Sequence, residues 1–531
     1  MKNAKKIFIP VALAAAMSLS AFLVACGDTE TPSQDKWRDE SIWMTAEDLV
    51  PTEAVRMPEQ VDYKDPSAAV HDPSIFHDPV SDYYYAYGTH YAVARTYGFA
   101  DAFRNKDSGG WEQRANDDDF KFLYGEEVAT YGGKSYPAAI KSTVELVKPE
   151  ARTSDEQKAT TWSTWAPDVE YINGKYYMYY SFTKAFGSPE SAIARVEADS
   201  PEGPFANNTI IIDSVGTNGT GTPNCIDPEL FYDKEGKLWM VYGSASAGVF
   251  IKELHADGKN AGLPIHTKEE EGFGKLLWKS KDYSSTYGGN EEGPFVYYNA
   301  ATKYYYLMTS HASLMTTYNM HVARSENPNG PYVGIDGKDV ADAGNGNLVS
   351  GNFKFDRSGS GKNGFAAMGH NSVIKDKDGK YYVVYHVRRI NGNTVTNGHN
   401  LYVSQIYFNE AGWPVMAPTP YVGETRGIFT QAQVAHEYEI VVHASPKATS
   451  PVNSVAYTLN ADGTVTGGDT GDSWTLKQGY YIELTLKGVT YKGVVAPGWD
   501  TYVSGNTSKQ KAVVTITAVS GEGISLWAIE K

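Results

Sequence analysis

The hydrophobic and polar positions of the chain repeat a two-strand unit five times. In each unit a polar residue opens a short apolar strand, a turn follows, and an aromatic-rich strand returns. The first unit leads from the apolar run at 74–76 to the tyrosine-rich run at 83–87. Repeated β-hairpin units predict a β-propeller, because each unit buries its faces only against its neighbours. The five opening residues are Asp72, Asp168, Asp227, Glu292 and His370.

A second repeated element accompanies these units. Ala194-Arg195 leads to a Pro-x-Gly-Pro turn at 201–205, and Ala323-Arg324 leads to one at 328–332. Ala94-Arg95 is interpreted as a copy that has lost the turn. The two repeats together predict a five-bladed β-propeller over residues 66–430.

The C-terminal residues 431–531 show a different pattern. Alternating apolar and polar positions from Tyr480 to Leu486 and from Ala512 to Ala518 are separated by glycine-rich turns. Such alternation is typical of half-buried strands. We expect a separate small β-barrel or sandwich domain, so the whole fold class is predicted as all-β.

The N-terminus has the pattern of a targeting segment. Three lysines precede an apolar stretch at 7–25, which ends in Leu23-Val24-Ala25-Cys26. This pattern resembles a bacterial lipobox, in which cleavage leaves Cys26 to carry acyl chains. It predicts a lipoprotein signal peptide at 1–25, a polar spacer at 26–65, and an exported lipoprotein at the cell envelope or cell surface; the alternative is an ordinary signal peptide with a chance cysteine.

Charge and cysteine content narrow the possible partners. The formal net charge of −16 argues against a nucleic-acid partner, because such binding needs clustered Lys and Arg. Only two cysteines are present, so lipidation of Cys26 leaves no intramolecular disulfide, and Cys225 is interpreted as a packing residue. The membrane is expected as a partner through the lipid anchor alone.

The position of the opening acids suggests chemistry. In a propeller the first strand of every blade runs beside the central axis, so the acids are expected to converge there. Carboxylates that lie close together raise the pKa of at least one of them, because two neighbouring negative charges repel each other. Such perturbed pKa values are found at many functional sites. The alternative is that these acids cap strand ends through turn amides, as Asp before Pro does in other proteins.

At these segments the chain resembles glycoside hydrolase family 43, and within it the larger endo-α-1,5-L-arabinanases. The resemblance covers residues 70–425 and rests on His71-Asp72-Pro73, on the stretch from Trp165 to Asp168, on Ile226-Asp227-Pro228 and on the stretch from Glu291 to Pro294. It implies Asp72 as general base, Glu292 as general acid, and Asp227 as the residue that raises the pKa of the acid. It also implies an inverting mechanism, in which the carboxyl groups lie about 6.5–9.5 Å apart.

Further arabinanase-like stretches imply substrate contacts. Asp168 is expected either to position substrate or to hold the channel wall, and Trp165 either to face a sugar ring or to belong to the core. Ala245-Ser246 departs from the family, which usually carries an aromatic residue after Gly243-Ser244, so one sugar subsite is expected to differ. The remaining candidates for substrate binding are Gly187, Asn224, Cys225, Ile226 and Ser244.

His370 is the candidate metal ligand. A lone histidine is most often a satisfied core residue, and calcium prefers oxygen ligands. The resemblance nevertheless implies a calcium ion beside His370 on the propeller axis.

The resulting hypothesis is an inverting glycoside hydrolase that cleaves internal α-1,5-L-arabinofuranosidic bonds of arabinan, or of a related pectic or hemicellulosic polysaccharide, at the cell surface. One alternative is an exo-acting α-L-arabinofuranosidase or β-xylosidase of the same fold. The other is a non-catalytic sugar-binding lipoprotein, which is disfavoured because a binding module needs neither acid nor base.

Overall fold

The computed structural model describes most of the chain after the N-terminal segment. The described residues are 49–59, 61, 63, 68–102, 110–116, 119–131, 133–147, 162–217, 221–279, 291–342, 344–357, 361–376, 379–391, 394–443, 450–503 and 510–531. Cys26, the lipobox and most of the expected spacer lie outside them. Within the described ranges, no helix is long and apolar enough to cross a membrane.

Four antiparallel sheets of four strands each follow one another along the chain. The first contains β1 (Ser74–His77), β2 (Tyr84–Gly88), β3 (Ala92–Thr96) and β4 (Glu112–Ala115). A separate hairpin, β5 (Val128–Tyr131) and β6 (Lys134–Pro137), precedes the second sheet. The second contains β7 (Ser163–Ile172), β8 (Lys175–Thr183), β9 (Ser191–Ala198) and β10 (Ala206–Asp213).

The third and fourth sheets repeat the same order of neighbouring strands. The third contains β11 (Glu229–Tyr232), β12 (Leu238–Tyr242), β13 (Val249–Leu254) and β14 (Lys275–Trp278). The fourth contains β15 (Glu291–Asn299), β16 (Tyr304–His311), β17 (Asn319–Ser325) and β18 (Asn347–Ser350). The second strand of each sheet is buried almost throughout, which explains its aromatic sequence, because aromatic side chains fill the space between packed sheets.

The fifth predicted repeat lies in a larger sheet. This sheet has seven strands: β19 (Phe353–Arg357), β20 (Gly361–Lys375), β21 (Tyr381–Asn391), β22 (Thr394–Val395), β23 (Asn400–Phe408), β24 (Pro414–Met416) and β26 (Val452–Asn453). The first strands of the four smaller sheets and β20 of the larger sheet contact one another in ring order, β1 with β7, β7 with β11, β11 with β15, β15 with β20, and β20 with β1. The arrangement is therefore propeller-like and all-β, with four separate four-stranded sheets where five such blades were expected.

The repeated alanine-arginine pairs connect neighbouring sheets. Arg95 of the first sheet donates to Glu202 at 2.7 Å, beyond β9 of the second. Arg195 of the second sheet donates to the carbonyl of Ala261 at 2.6 Å. Arg324 of the fourth sheet donates to the carbonyl of Ala411 at 2.8 Å. The repeat therefore encodes contacts from one sheet to the next, and Ala94-Arg95 takes the same role without the turn.

The C-terminal strands form one antiparallel sheet of eight. Its strands are β25 (Glu437–Val442), β27 (Val455–Leu459), β28 (Val465–Thr466), β29 (Ser473–Lys477), β30 (Tyr481–Leu486), β31 (Val489–Trp499), β32 (Ala512–Ser520) and β33 (Ser525–Glu530). A bridge between Thr464 and Ser473 joins its two ends, so the sheet is nearly closed and barrel-like. Its interior is an apolar cluster that includes Trp474, Val495 and Ile516.

The seven-stranded sheet and the barrel-like sheet are tied together. β26 lies in the chain between β25 and β27 of the barrel-like sheet, but it pairs in parallel with β19 of the seven-stranded sheet. The guanidinium of Arg357 donates to Oδ2 of Asp500 and to the carbonyl of Glu530, both at 2.8 Å. Arg357 and Asp500 are almost fully buried. Phe353 packs against Tyr502 and Trp527 at the same contact.

The described helices are short. The α-helices are α1 (Phe120–Tyr124), α2 (Lys141–Leu146), α3 (Lys268–Glu271) and α4 (Gln431–Val434). The single 3-10 turns are at Thr89–Tyr91, Phe99–Asp101, Ala138–Ile140 and Gly258–Asn260. α3 and α4 each begin with a threonine in a capping box.

Candidate active site

Four neighbouring inner strands share a backbone kink. Asp72 and Asp227 have φ of 54°, Gly293 has φ of 54°, and His370 has φ of 47°. The first three precede a proline and the fourth precedes Asn371, so they occupy one equivalent position. Residues other than glycine rarely adopt this left-handed region, and strain of this kind is common at functional sites.

Asp72 is surrounded by imidazoles. Oδ1 lies 3.1 Å from Nε2 of His71 and 3.2 Å from Nδ1 of His370. Oδ2 accepts a hydrogen bond of 2.6 Å from Thr89. Burial acts to raise the pKa of Asp72, but the imidazoles and the Thr89 hydroxyl outweigh it and hold the pKa below its ordinary value. Asp72 is therefore an ionised carboxylate, as a general base requires.

Glu292 lies one residue before the kink, on β15. Its Oε2 accepts a hydrogen bond of 2.9 Å from Ser244. Burial raises the pKa of Glu292 to about 7, helped by the charge of Asp72 and opposed by the hydroxyls of Tyr318 and Ser244. A carboxyl group with such a pKa holds a proton near neutral pH, as a general acid requires.

Asp227 connects the two. Its backbone N–H donates to Oγ of Ser181 at 2.9 Å, and its Oδ2 accepts from the N–H of Gly293 at 3.1 Å. Burial, and then the charges of Glu292 and Asp72, raise the pKa of Asp227 well above its ordinary value. Asp72, Asp227 and Glu292 thus lie close enough together for the charge of one to shift the pKa of another.

Gly293 suits the close packing of this cluster. A Cβ atom at this position would lie 3.1 Å from Nδ1 of His370, closer than most side-chain contacts. The glycine therefore lets the His370 ring approach the strand that carries Glu292.

Asp168 does not share the position of the other acids, and the prediction of four acids in register was wrong. Asp168 follows its proline, Pro167, whereas Asp72 and Asp227 precede theirs. Its Oδ1 accepts a hydrogen bond of 2.5 Å from Ser74 and its Oδ2 one of 2.8 Å from the N–H of Leu230. Burial raises its pKa to about 6. These bonds join the inner strands of three sheets, which is the wall-holding role that the sequence left open.

Several expected substrate-binding residues face the interior. Asn224 accepts a hydrogen bond of 2.5 Å from Ser191. Cys225 is a fully buried free thiol, as the packing interpretation predicted, and burial raises its pKa far above the ordinary range. Ile226 is buried, and its carbonyl accepts from the N–H of Gly243 at 2.9 Å. These three side chains support the loop before Asp227.

The segment Ala245-Ser246, where the resemblance led us to expect an aromatic residue, lies against β15. Ala245 and Ser246 have φ of 47° and 49°. The N–H of Ala245 donates to the carbonyl of Glu291 at 2.8 Å. Together with the bond from Ser244 to Glu292, this contact fixes the segment beside the general-acid candidate.

Aromatic side chains lie at an exposed edge. Gly187 is exposed with φ of 78°, and the neighbouring Phe186 is 77% exposed. The ring of Phe186 lies 6.2 Å from that of the half-buried Trp165. An exposed aromatic pair can offer an apolar face to a sugar ring.

His370 can hold a cation. Its backbone N–H donates to Ser310 at 2.7 Å, and its Nδ1 faces Asp72. Burial lowers its pKa, which favours the neutral imidazole that a metal ligand requires. The structure records no hydrogen bond for Nε2, so a lone pair at this atom fits the expected ligand role.

A second group of imidazoles, His71, His386 and His399, offers ring nitrogens within 4.8 Å of one another. His71 and His399 are stacked in parallel at 4.2 Å. Nδ1 of His386 accepts from the N–H of Asp72, and Nε2 of His399 accepts from Arg388. Because hydrogen bonds already occupy these lone pairs, the group is better described as a stacked wall behind Asp72 than as a metal centre.

The sequence analysis missed four contributors to the site. They are Thr89, Tyr318, His386 and His399, which contact the cluster from turns or from second and third strands. His386 directly follows the aromatic run of its repeat, at the position that Gly88 and Gly243 occupy in theirs. A histidine in place of this glycine is the one signal that the sequence offered.

Known proteins match this chain over most of its length. The model of glycosyl hydrolases family 43 matches residues 142–414, and that of a C-terminal lipocalin-like domain matches residues 418–528. An extracellular endo-α-(1→5)-L-arabinanase of Thermotoga petrophila is 35% identical, over 87% of this chain and 93% of its own. Extracellular endo-α-(1→5)-L-arabinanase 2 of Bacillus subtilis is 32% identical, over 86% of this chain and 92% of its own.

A solved structure agrees. The crystal structure of endo-1,5-α-L-arabinanase from Thermotoga petrophila superposes with a TM-score of 0.73 at 33% identity, covering 88% of this chain and all of that one. The region that the family model matches contains Asp227 and Glu292, and the relatives extend the match across most of the chain. This protein therefore belongs to glycosyl hydrolases family 43.

Proposed function

We propose that this protein is an exported endo-arabinanase that cleaves internal α-1,5-L-arabinofuranosidic bonds with inversion. The observation that carries the proposal is the opposite direction of the pKa shifts of two clustered carboxyl groups, since the pKa of Asp72 is lowered and that of Glu292 is raised to about 7. The two relatives described above, each matching over most of the chain, are endo-α-(1→5)-L-arabinanases. Their names supply the substrate class and the expectation of export.

In the proposed mechanism Glu292 protonates the departing glycosidic oxygen. Asp72 removes a proton from the water that attacks the anomeric carbon from the opposite side. Asp227 lies beside Glu292, and ionisation of either carboxyl group opposes ionisation of the other, so an ionised Asp227 would make the acid hold its proton more firmly. Ser244 orients Glu292 through its hydrogen bond.

Calcium is proposed as a resident cation beside His370. When bound, it would supply positive charge near the carboxylates, with Nε2 of His370 as the protein ligand. The fit rests on the recorded partners of this ring, since Nδ1 faces Asp72 and Nε2 carries no recorded hydrogen bond.

The architecture supports a five-bladed propeller as the finer description. In this proposal β20, β21, β23 and β24 act as the fifth blade, and β19 and β26 extend it towards the C-terminal sheet. The closed ring of first-strand contacts supports the assignment. We also propose that Trp165 and Phe186 bind sugar, and that Cys26 carries a lipid anchor.

The test is the time course of products from debranched linear arabinan. We expect a spread of oligosaccharides early in the reaction, because internal bonds are cleaved. Proton NMR of the first product should show the β-anomer before mutarotation. Arabinose as the sole early product, faster cleavage of xylan, or a first-formed α-anomer would contradict the proposal.

A further inference from the structure

We propose that His386 is a positioning residue that holds the general base Asp72 in its left-handed conformation. The inference rests on the proposed function, because it assumes that Asp72 is the base. It assigns a role to a residue of β21 that is 314 positions away from Asp72 in the sequence.

The first step of the argument is the backbone of Asp72. Its φ of 54° lies in a region that is unfavourable for a residue other than glycine, so the surroundings must hold it there. Its N–H has one recorded acceptor, Nδ1 of His386, at 3.1 Å. This bond ties the main chain of Asp72 to β21.

The second step is the state of the imidazole. A ring nitrogen that accepts a hydrogen bond carries a lone pair, so the proton of His386 lies on Nε2. The neutral ring with its proton on Nε2 is the form that can accept the hydrogen bond from the N–H of Asp72.

The third step is how the ring itself is held. His386 is fully buried and stacks on Tyr318, with ring centres 5.6 Å apart and planes 21° apart. Tyr318 in turn fits against Gly369, where a Cβ atom would come within 2.2 Å of the tyrosine ring. Because Tyr318 also stabilises the ionised form of Glu292, the stacked pair reaches from the base to the acid.

Two substitutions separate the hydrogen bond from the ring. His386→Phe keeps an aromatic ring for stacking but removes the acceptor. His386→Asn loses the ring but places an amide oxygen near the position of Nδ1. A misplaced base of this kind costs about 100-fold in rate.

We expect His386→Phe to lower kcat about 100-fold on arabinan and on an activated aryl arabinoside alike, with KM unchanged. The loss is shared because water must be deprotonated whichever group leaves. We expect His386→Asn to recover about tenfold or more of that loss. His443→Phe is the matched control, since His443 is a buried imidazole in the C-terminal contact for whose ring nitrogens no hydrogen bond is recorded.

Full kcat in His386→Phe would overturn the proposal. So would a kcat of His386→Asn no higher than that of His386→Phe, provided that both variants show cooperative thermal unfolding. If the phenylalanine variant does not fold, the asparagine variant decides, and a folded protein with about 100-fold lower kcat overturns it. Nitrogen-15 NMR of labelled imidazoles gives an independent readout, because a proton on Nδ1 of His386 contradicts the assigned bond. Activity retained by Asp72→Asn instead overturns the proposed function, whereas an inactive Asp72→Asn beside a fully active His386→Phe overturns only the role of His386.

Discussion

The backbone N–H of Gly293 donates a hydrogen bond of 3.1 Å to Oδ2 of Asp227, which ties the strand of the acid to the neighbouring carboxyl group. Glu292 precedes this glycine directly, so the position of the acid depends on a group whose pKa the acid itself raises. The same contact therefore positions Glu292 and places Asp227 where the two carboxyl groups affect each other's pKa.

Asp227→Asn should move the alkaline limb of the rate profile to lower pH. The amide oxygen can still accept from Gly293, but residue 227 can no longer ionise, so Glu292 loses whatever proton affinity it owes to an ionised Asp227. The measurement is kcat/KM for arabinan against pH. An alkaline limb that stays in place or moves to higher pH would show that Asp227 does not act on the acid.

Glu292→Gln should lose arabinan cleavage by about 100-fold or more but keep much activity on an aryl arabinoside with a good leaving group. A sugar alkoxide must be protonated as it leaves, whereas an activated phenolate departs unaided. Asp72→Asn serves as the comparison and should be inactive on both substrates. Equal losses of Glu292→Gln on both substrates would reverse the assignment of acid and base.

His370→Ala should lower the calcium content of the purified protein as well as its activity. The measurement is elemental analysis after exhaustive dialysis, with the wild-type protein before and after chelation as reference. His436→Ala, which changes a half-exposed histidine of the C-terminal sheet, is the matched control and should keep the metal. Wild-type protein that remains fully active without detectable calcium would refute the calcium proposal.

Arg357→Leu should destabilise the fold by about 3–5 kcal/mol, because it leaves the carboxylate of Asp500 buried without its partner. The measurement is the free energy of unfolding from urea titration. The double variant with Asp500→Leu should recover part of the loss, since no unpaired charge remains. A single variant as stable as the wild type would show that this ion pair does not hold the two sheets together.

Cys26→Ser should abolish labelling by a radioactive fatty acid in the bacterial host. The thiol is both the processing signal and the attachment point in a lipobox, and stable anchoring requires more than one acyl chain. Cys225→Ser is the matched control and should still be labelled, because that thiol is buried. Unchanged labelling of Cys26→Ser would rule out the anchor.

The sequence by itself determined the strand pairs and the three central acids. Alternation and aromatic runs specify a strand locally, and residues that open strands of one repeated unit meet at one axis whatever loops separate them. His71-Asp72-Pro73, Ile226-Asp227-Pro228 and the stretch from Glu291 to Pro294 were therefore recognisable in advance.

Only the tertiary structure decided the partners of those acids. Asp168 lies two positions further along its strand than Asp72 and Asp227 do along theirs, and it therefore bonds to Ser74 and Leu230. The sequence indicates this shift only by a proline that precedes the aspartate instead of following it, which is a weak signal beside the repeat. His386 reaches Asp72 across 314 residues, and its role depends on the path of β21. The extension of the fifth repeat into a seven-stranded sheet likewise depends on β26, which follows the catalytic region in the chain. Local sequence specifies strands, whereas contacts between sheets are set by how distant strands pack, and that packing leaves no local pattern.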